Sequence, residues 1–106
     1  MDDKLIDVKS VNEEFQGETS SVMIDVRSPE EFNGGHVEKS VNLPLEQVEQ
    51  GIESIVPDKN AQIYVFCRSG GRSSMAQAIL ADKGYINVKN ITGGILEWKD
   101  QGLPLV

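Results

Sequence analysis

The chain has 106 residues, of which 39% are hydrophobic and 25% charged, and this length and composition predict one globular domain over residues 1–106. Its 17 acidic and 10 basic residues give a formal charge of −7, which argues against a nucleic-acid-binding protein held by phosphate neutralisation. No apolar run approaches the roughly 20 residues that cross a bilayer, and the acidic start MDDKLIDVKS is unlike a signal peptide, so we expect a soluble, cytoplasmic protein with no membrane partner.

Cys67 is the only cysteine and His36 the only histidine. One cysteine cannot form an internal disulfide, and these two residues are too few for a structural zinc site of four ligands. We therefore expect no metal, and any sulfur chemistry must depend on Cys67 alone.

Short apolar segments alternate with helical patterns along the chain, which predicts an α/β fold with a largely parallel sheet. The strand candidates are residues 5–8, 22–26, 41–43, 63–66 and 88–91. A capping-box pattern at Ser10 and Glu13 predicts the first helix, and Ser28-Pro29 with Glu31 predicts a second that stops at Gly34. Apolar spacing predicts further helices over residues 45–55, from the loop after residue 67 to a C-cap at residue 84, and over 95–101.

The sequence CRSGGRS, at residues 67–73, follows the strongest strand candidate and precedes a helix. This order puts Cys67 at the carboxyl edge of the sheet, where open α/β folds bind ligands. Gly70 and Gly71 permit a tight loop whose N–H groups converge on one point, and the helix adds the positive end of its dipole. We therefore predict an anion-binding loop around Cys67.

The two arginines of this loop, Arg68 and Arg72, lie in the basic part of an acidic chain. Residues 67–106 hold 5 basic and 3 acidic residues, whereas residues 1–66 hold 5 and 14. Positive charge and converging amides favour the thiolate of Cys67 over its thiol. We predict that Cys67 is a nucleophile that attacks an electrophilic sulfur or phosphorus atom of a bound anion.

A purely structural role for Cys67 is the alternative, because free cysteines at strand ends are often core residues. The arginines and glycines that follow it favour the catalytic interpretation. Ser69 and Ser73 remain open between two roles: their hydroxyls can hydrogen-bond the sulfur or the donor, or they can close the turn and cap the helix.

Asp25 and Arg27 end a buried strand, where charges persist when they are paired. We interpret them as a structural ion pair that supports the loop. His36 follows Gly34-Gly35 and is assigned a structural hydrogen bond rather than proton transfer, and Trp98 is expected to pack the last helix onto the sheet.

Three ordered motifs resemble those of the rhodanese-like sulfurtransferases in their single-domain form. They are DVRSPEEFNGGHVEKSVNLPL at residues 25–45, CRSGGRS at 67–73 and TGGILEWKDQGLP at 92–104. The resemblance implies a rhodanese-like fold with a five-stranded, mainly parallel sheet flanked by helices. The chain departs from the family pattern at Lys39-Ser40, where glycine and alanine are more usual, and this predicts a change in the local turn.

In the mechanism that this resemblance implies, the Cys67 thiolate takes the outer sulfur of thiosulfate or a similar donor and becomes a persulfide. The loop amides from Arg68 to Ser73 cradle the persulfide, and Arg68 and Arg72 bind the anionic donor. Cyanide or a thiol, including that of a protein, then accepts the sulfur. The resemblance implies no metal and no organic cofactor, and we expect a monomer.

Two other functions compete with a thiosulfate sulfurtransferase. The acidic surface allows a persulfide carrier or binding module that serves a partner protein. A phosphatase or arsenate reductase of the same fold is the other alternative, but those relatives have one more residue between cysteine and arginine than the four between Cys67 and Arg72. The shorter loop favours sulfur transfer.

Overall fold

The computed structural model describes residues 5–17, 20–68 and 71–106. Within these ranges strands and α-helices alternate in the order β1 (Leu5–Asp7), α1 (Val8–Gly17), β2 (Val22–Asp25), α2 (Pro29–Asn33), β3 (Val41–Asn42), α3 (Val48–Ile55), β4 (Ile63–Phe66), α4 (Gly71–Asp82), β5 (Val88–Thr92) and α5 (Gly94–Asp100). None of these helices is both long and apolar enough to span a lipid bilayer.

The five strands form one sheet in the order β1-β5-β4-β2-β3, and every neighbouring pair is parallel. The register places Asp25 of β2 opposite Phe66 of β4, and Asn90 of β5 opposite Val65 of β4. All carboxyl ends of the strands therefore lie along one edge. This confirms the predicted α/β fold with a parallel sheet flanked by helices.

The two faces of the sheet are covered by different pairs of helices. Along β4, Ile63 and Val65 belong to one hydrophobic cluster with α3 and α4, whereas Tyr64 and Phe66 belong to a second cluster with α1 and α5. This alternation follows the two-residue period of a strand. It explains why all four residues of β4 are buried.

Trp98 anchors α5 to the sheet, as predicted. Its side chain is fully buried, and its ring meets that of Phe66 edge to face at 5.9 Å between centroids. The indole Nε1 donates a hydrogen bond to the Pro104 carbonyl oxygen at 2.9 Å, which ties down the chain after the helix.

The first turns of α1 and α2 differ in how well the sequence predicted them. At α2, the Ser28 hydroxyl accepts a bond from the Glu31 amide, and the Glu31 carboxylate accepts one from the Ser28 amide, so the predicted capping box is confirmed. At α1 the predicted capping box of Ser10 is wrong. The helix already begins at Val8, and the Asp7 carboxylate accepts the Ser10 amide at 2.7 Å, which lowers the pKa of Asp7. An acidic residue at the strand end therefore takes the capping role.

The helix predicted over residues 45–55 begins with one turn of 3-10 helix. This turn covers Leu45–Gln47, and the Gln47 amide donates to the Pro44 carbonyl at 2.8 Å. The α-helical part, α3, starts only at Val48.

Lys39 has a left-handed backbone conformation, with φ of 73°. This is the position where the resembled family more often has glycine. A glycine adopts such a φ without the steric penalty that a Cβ brings. The residue that departs from the family pattern, Lys39, therefore adopts a backbone conformation that suits glycine better.

An ion pair joins α2 to α4. The guanidinium of Arg72 donates from Nη1 and Nη2 to the two carboxylate oxygens of Glu31, at 2.7 and 2.9 Å. The hydrogen bonds from Arg72 lower the pKa of Glu31 from 4.5 to about 2, and those bonds raise the pKa of Arg72. The same Glu31 carboxylate thus caps its own helix and holds an arginine 41 residues further along the chain.

Gly94 allows α5 to begin directly against the backbone that follows β4. The amides of Ile95 and Leu96 donate to the carbonyl oxygens of Cys67 and Arg68 at 2.9 and 3.2 Å. A Cβ on Gly94 would lie 2.3 Å from the Cys67 oxygen, and its φ is +54°. No residue with a side chain can occupy this position without displacing backbone.

We expect Gly94→Ala to lower the free energy of unfolding by about 2 kcal/mol, through the clash and the strained φ together. Gly102→Ala is the matched control, because Gly102 also has a positive φ, +71°, but no atom lies within 4 Å of its added Cβ. The control should lose only about 1 kcal/mol. Urea unfolding measures both, and equal losses would contradict the close contact at Gly94.

We expect Glu31→Gln to lower the free energy of unfolding near neutral pH by up to about 1 kcal/mol, a value reduced by solvent screening of this part-exposed pair. Glutamine retains an oxygen that accepts the Ser28 amide, so the change removes charge and leaves the cap. Because the pKa of Glu31 is lowered to about 2 in the folded protein, the difference should be complete above the ordinary value of 4.5 and shrink as the pH falls toward 2.

Urea unfolding at a series of pH values checks this dependence. Glu30→Gln is the control, since Glu30 lies in the same exposed helical turn and forms no salt bridge with any described residue. If the free energy of unfolding depends on pH in the same way for Glu30→Gln and Glu31→Gln, the ion pair with Arg72 contributes nothing to stability.

Candidate active site

Cys67 lies immediately after β4, at the carboxyl edge of the sheet, as the sequence predicts. The strands on either side, β2 and β5, also end at this edge. Cys67 is 1% exposed and belongs to the hydrophobic cluster that α3 and α4 cover. Burial by itself is also what a structural cysteine would show, so the polar groups around the sulfur decide between the two interpretations.

A buried hydroxyl lies next to the sulfur. The Sγ of Cys67 is 3.3 Å from the Oγ of Ser73, which is itself fully buried in the first turn of α4. The helix begins at Gly71, so Ser73 is not its N-cap, and that alternative is wrong. Its hydroxyl is placed to interact with the sulfur.

Asn90 extends this polar contact from α4 to β5. The Ser73 hydroxyl donates to Oδ1 of Asn90, and Nδ2 of Asn90 donates to the Ser74 hydroxyl at 2.8 Å. Asn90 is 3% exposed. None of the sequence motifs around Cys67 contains this residue. The sequence does contain one indication: Asn90 is a polar residue two positions after Val88 in a strand, so both side chains lie on the same buried face of the sheet.

Arg72 supplies positive charge near the sulfur. Its raised pKa results mainly from Glu31, and the charges of Cys67 and Asp25 contribute further. The Glu31 carboxylate holds the guanidinium in place while it neutralises part of its charge. Sequence reasoning assigned Glu31 only to the cap of α2, because a contact over 41 residues leaves no local pattern.

The rest of the predicted loop is described in part. Arg68 is exposed, and its carbonyl oxygen accepts the Leu96 amide, while Gly71 is the first residue of α4. Ser69 and Gly70 lie outside the described residues. The convergence of loop amides on the sulfur, and the binding of an anion by Arg68 and Arg72, therefore stay predictions.

Asp25 and Arg27 form the expected ion pair. The guanidinium of Arg27 makes bonds of 2.8 to 3.1 Å to the Asp25 carboxylate, and both residues are buried. Arg27 also donates to the carbonyl oxygens of Glu31 and Gly35, at the end of α2. The pair thus positions α2, the helix that carries the partner of Arg72. Its contribution to loop function remains a prediction.

His36 has the structural hydrogen bond that the sequence analysis assigned to it. Its Nδ1 lies 2.8 Å from the Phe32 carbonyl oxygen, and its ring stacks on that of Phe32 with 3.7 Å between centroids. Both contacts hold the turn that follows α2 against that helix.

The described residues bring no group of three or more His, Cys, Asp or Glu side chains into a metal-binding arrangement. What the edge of the sheet does bring together is one thiol, one buried hydroxyl, one buried amide and two ion pairs. This arrangement can orient a hydrogen bond and a positive charge toward a sulfur anion.

Comparison with known proteins identifies the family. The sequence model described as "Rhodanese-like domain" matches residues 3–101. Over 83 residues the chain is 42% identical to the thiosulfate sulfurtransferase PspE of Escherichia coli K12, covering 78% of this chain and 76% of that protein. It is 35% identical to a sulfurtransferase of Allochromatium vinosum, covering 95% and 92%.

A solved structure shows the same fold. The structure titled "rhodanese with anions from E. coli" superposes with a TM-score of 0.71 at 40% identity, and the match covers 81% of this chain and 96% of that one. Together with the matched motifs around Cys67, these similarities show that the chain belongs to the rhodanese-like family of sulfurtransferases.

Proposed function

We propose that this protein is a thiosulfate sulfurtransferase that carries sulfur as a persulfide on Cys67. The observation that carries the proposal is the placement of the only cysteine at the carboxyl end of β4, with a buried hydroxyl 3.3 Å from its sulfur and the positive charge of Arg72 nearby. The identity to the thiosulfate sulfurtransferase of E. coli supports the choice of donor.

In the first half-reaction the thiolate of Cys67, whose proton has passed to solvent, attacks the outer sulfur of thiosulfate. A sulfur–sulfur bond forms to Cys67 as the one in thiosulfate breaks, and sulfite leaves with the bonding electron pair. In the second half-reaction cyanide attacks the outer sulfur of the persulfide and leaves as thiocyanate, which returns the thiolate. A thiol acceptor takes the same sulfur as a new persulfide.

Burial of Cys67 is consistent with a small donor. A residue that is 1% exposed admits a single terminal atom more readily than a bulky group. Once loaded, the outer sulfur lies about 2 Å from Sγ, the length of a sulfur–sulfur bond.

Charge favours an anionic donor at this edge. Arg72 lies in the first turn of α4, whose amino end carries the positive part of the helix dipole. The structure with 40% identity is titled as holding anions, which supports anion binding in this chain also. The exposure of Arg68, the residue after Cys67, supports its role in attracting the donor from solvent.

Loop length supports sulfur transfer over phosphate or arsenate chemistry. Four residues separate Cys67 from Arg72. A tetrahedral oxyanion with the central atom under attack needs a wider ring of amides than a single sulfur atom does. We therefore expect no hydrolysis of aryl phosphates.

We expect incubation with thiosulfate to add one sulfur atom to the wild-type protein, and cyanide to remove it again. Intact-mass spectrometry measures both steps. Cys67→Ser is the matched variant, because it replaces the thiol with a hydroxyl of similar shape and should gain no sulfur at all. A sulfur adduct on Cys67→Ser, or its absence from the wild type, would refute the persulfide.

We expect Arg68→Ala to raise the KM for thiosulfate about fivefold, equivalent to about 1 kcal/mol, while kcat stays near the wild-type value. Lys99→Ala removes the same charge from the last turn of α5 and should leave KM unchanged. Steady-state kinetics with cyanide as acceptor tests this. Equal changes in both variants would mean that only the net charge matters.

A further inference from the structure

Asn90 connects the sulfur site to β5 through hydroxyl groups of α4. Its Oδ1 accepts a bond from Ser73, whose Oγ is 3.3 Å from the Cys67 sulfur, and its Nδ2 donates to Ser74 at 2.8 Å. Asn90 and Ser73 are both buried, whereas Ser74 is exposed. A buried amide that bridges two hydroxyls determines which way their hydrogens point.

The direction of these bonds suits an uncharged cysteine. A serine hydroxyl has one hydrogen, and Ser73 gives it to Asn90. The Ser73 oxygen therefore presents a lone pair to Sγ, where it can accept the hydrogen of a neutral thiol. A thiolate or a persulfide anion has no hydrogen to give and is stabilised by a donor instead.

The amide of Asn90 can reverse this direction without losing a bond. Its oxygen and its NH₂ group have nearly the same shape, so a half-turn of the amide exchanges them. Nδ2 then donates to the Ser73 oxygen, the Ser74 hydroxyl donates to Oδ1, and the Ser73 hydrogen is released toward Sγ. Both orientations keep the Asn90 amide bonded to the hydroxyls of Ser73 and Ser74, and a buried amide requires such partners.

We propose that Asn90 is a positioning residue for sulfur transfer that acts through Ser73: its amide turns over when Cys67 changes from the neutral thiol to the thiolate or persulfide. The Ser73 hydroxyl then donates to the sulfur only while the sulfur is charged. The relay moves no proton to or from Cys67, since the thiol proton leaves to solvent and the hydroxyl hydrogens only reorient.

The charged side chains around Cys67 are paired with each other, so the orientation of the Ser73 hydroxyl is a separate influence on the sulfur. Arg72 is paired with Glu31, and Asp25 is paired with Arg27, while α5 contacts the Cys67 carbonyl through the Ile95 amide. Asn90 is uncharged, so its amide changes the orientation of the Ser73 and Ser74 hydroxyls and leaves the net charge as it is.

Nuclear magnetic resonance of protein labelled with ¹⁵N on asparagine tests the proposal without any substitution at the site. Cys67 is titrated with pH, and thiolate absorbance gives its midpoint. We expect the side-chain NH₂ signals of Asn90 to shift with that same midpoint. Asn87 is the internal reference, since it lies before β5 and donates to the Asn60 carbonyl. Its signals should not follow the thiolate.

Ser73→Ala separates the relay from a simple field effect. In this variant the charge still forms on the sulfur, but the hydroxyl that links it to Asn90 is gone, so the Asn90 signals should no longer follow the thiolate. The signals are assigned from Asn90→Leu, which lacks that one pair. Unchanged Asn90 signals in the wild type, or a shift that persists in Ser73→Ala, would overturn the proposal.

The role of Asn90 in sulfur transfer rests on the function proposed above. The titration and the thiosulfate experiment together distinguish failure of that function from failure of the relay. If thiosulfate adds no sulfur to Cys67 but the Asn90 signals follow the thiolate, the proposed function fails and the relay stands. If the persulfide forms while the Asn90 signals stay unchanged, the relay fails and the function stands.

Discussion

Backbone hydrogen bonds between β4 and its two neighbours decide which groups can reach Cys67. In a parallel pair, residues in register project to the same face, so Val65 and Asn90 lie side by side above α4. On the other flank Asp25 is opposite Phe66, one residue before the cysteine. A shift of one residue between β4 and β5 would turn Asn90 to the opposite face and separate it from Ser73 and the thiol.

Two ion pairs, joined through α2, fix the position of Arg72 relative to the carboxyl edge of the sheet. The buried pair of Asp25 and Arg27 holds the end of α2 through two carbonyl oxygens. That helix presents Glu31, which in turn holds Arg72 on α4. The charges of Asp25 and Arg27 therefore compensate each other where water is scarce, whereas the Glu31–Arg72 pair is partly exposed to solvent. Arg72, whose charge interacts with that of Cys67, is thus held by a helix from a distant part of the chain.

Agreement between sequence and structure was best where one local force dominates. The apolar run of β4 and the capping box of α2 depend on neighbouring residues, and both are as predicted. The start of α1 was wrong because two polar residues, Asp7 and Ser10, compete for the cap, and the end of β1 favours Asp7. At Lys39 the departure from a family glycine predicts only a changed turn, and the structure shows that the lysine has a left-handed φ of 73°.

The sequence alone determined the family, the parallel α/β fold and the position of Cys67 before a helix, because these follow from composition, short periodic patterns and contiguous motifs. Only the tertiary structure decided that Ser73 meets the sulfur, that Asn90 lies behind it, and that Glu31 holds Arg72. These contacts span 6, 17 and 41 residues. Their partners are selected by strand register and helix packing, which depend on the whole chain at once.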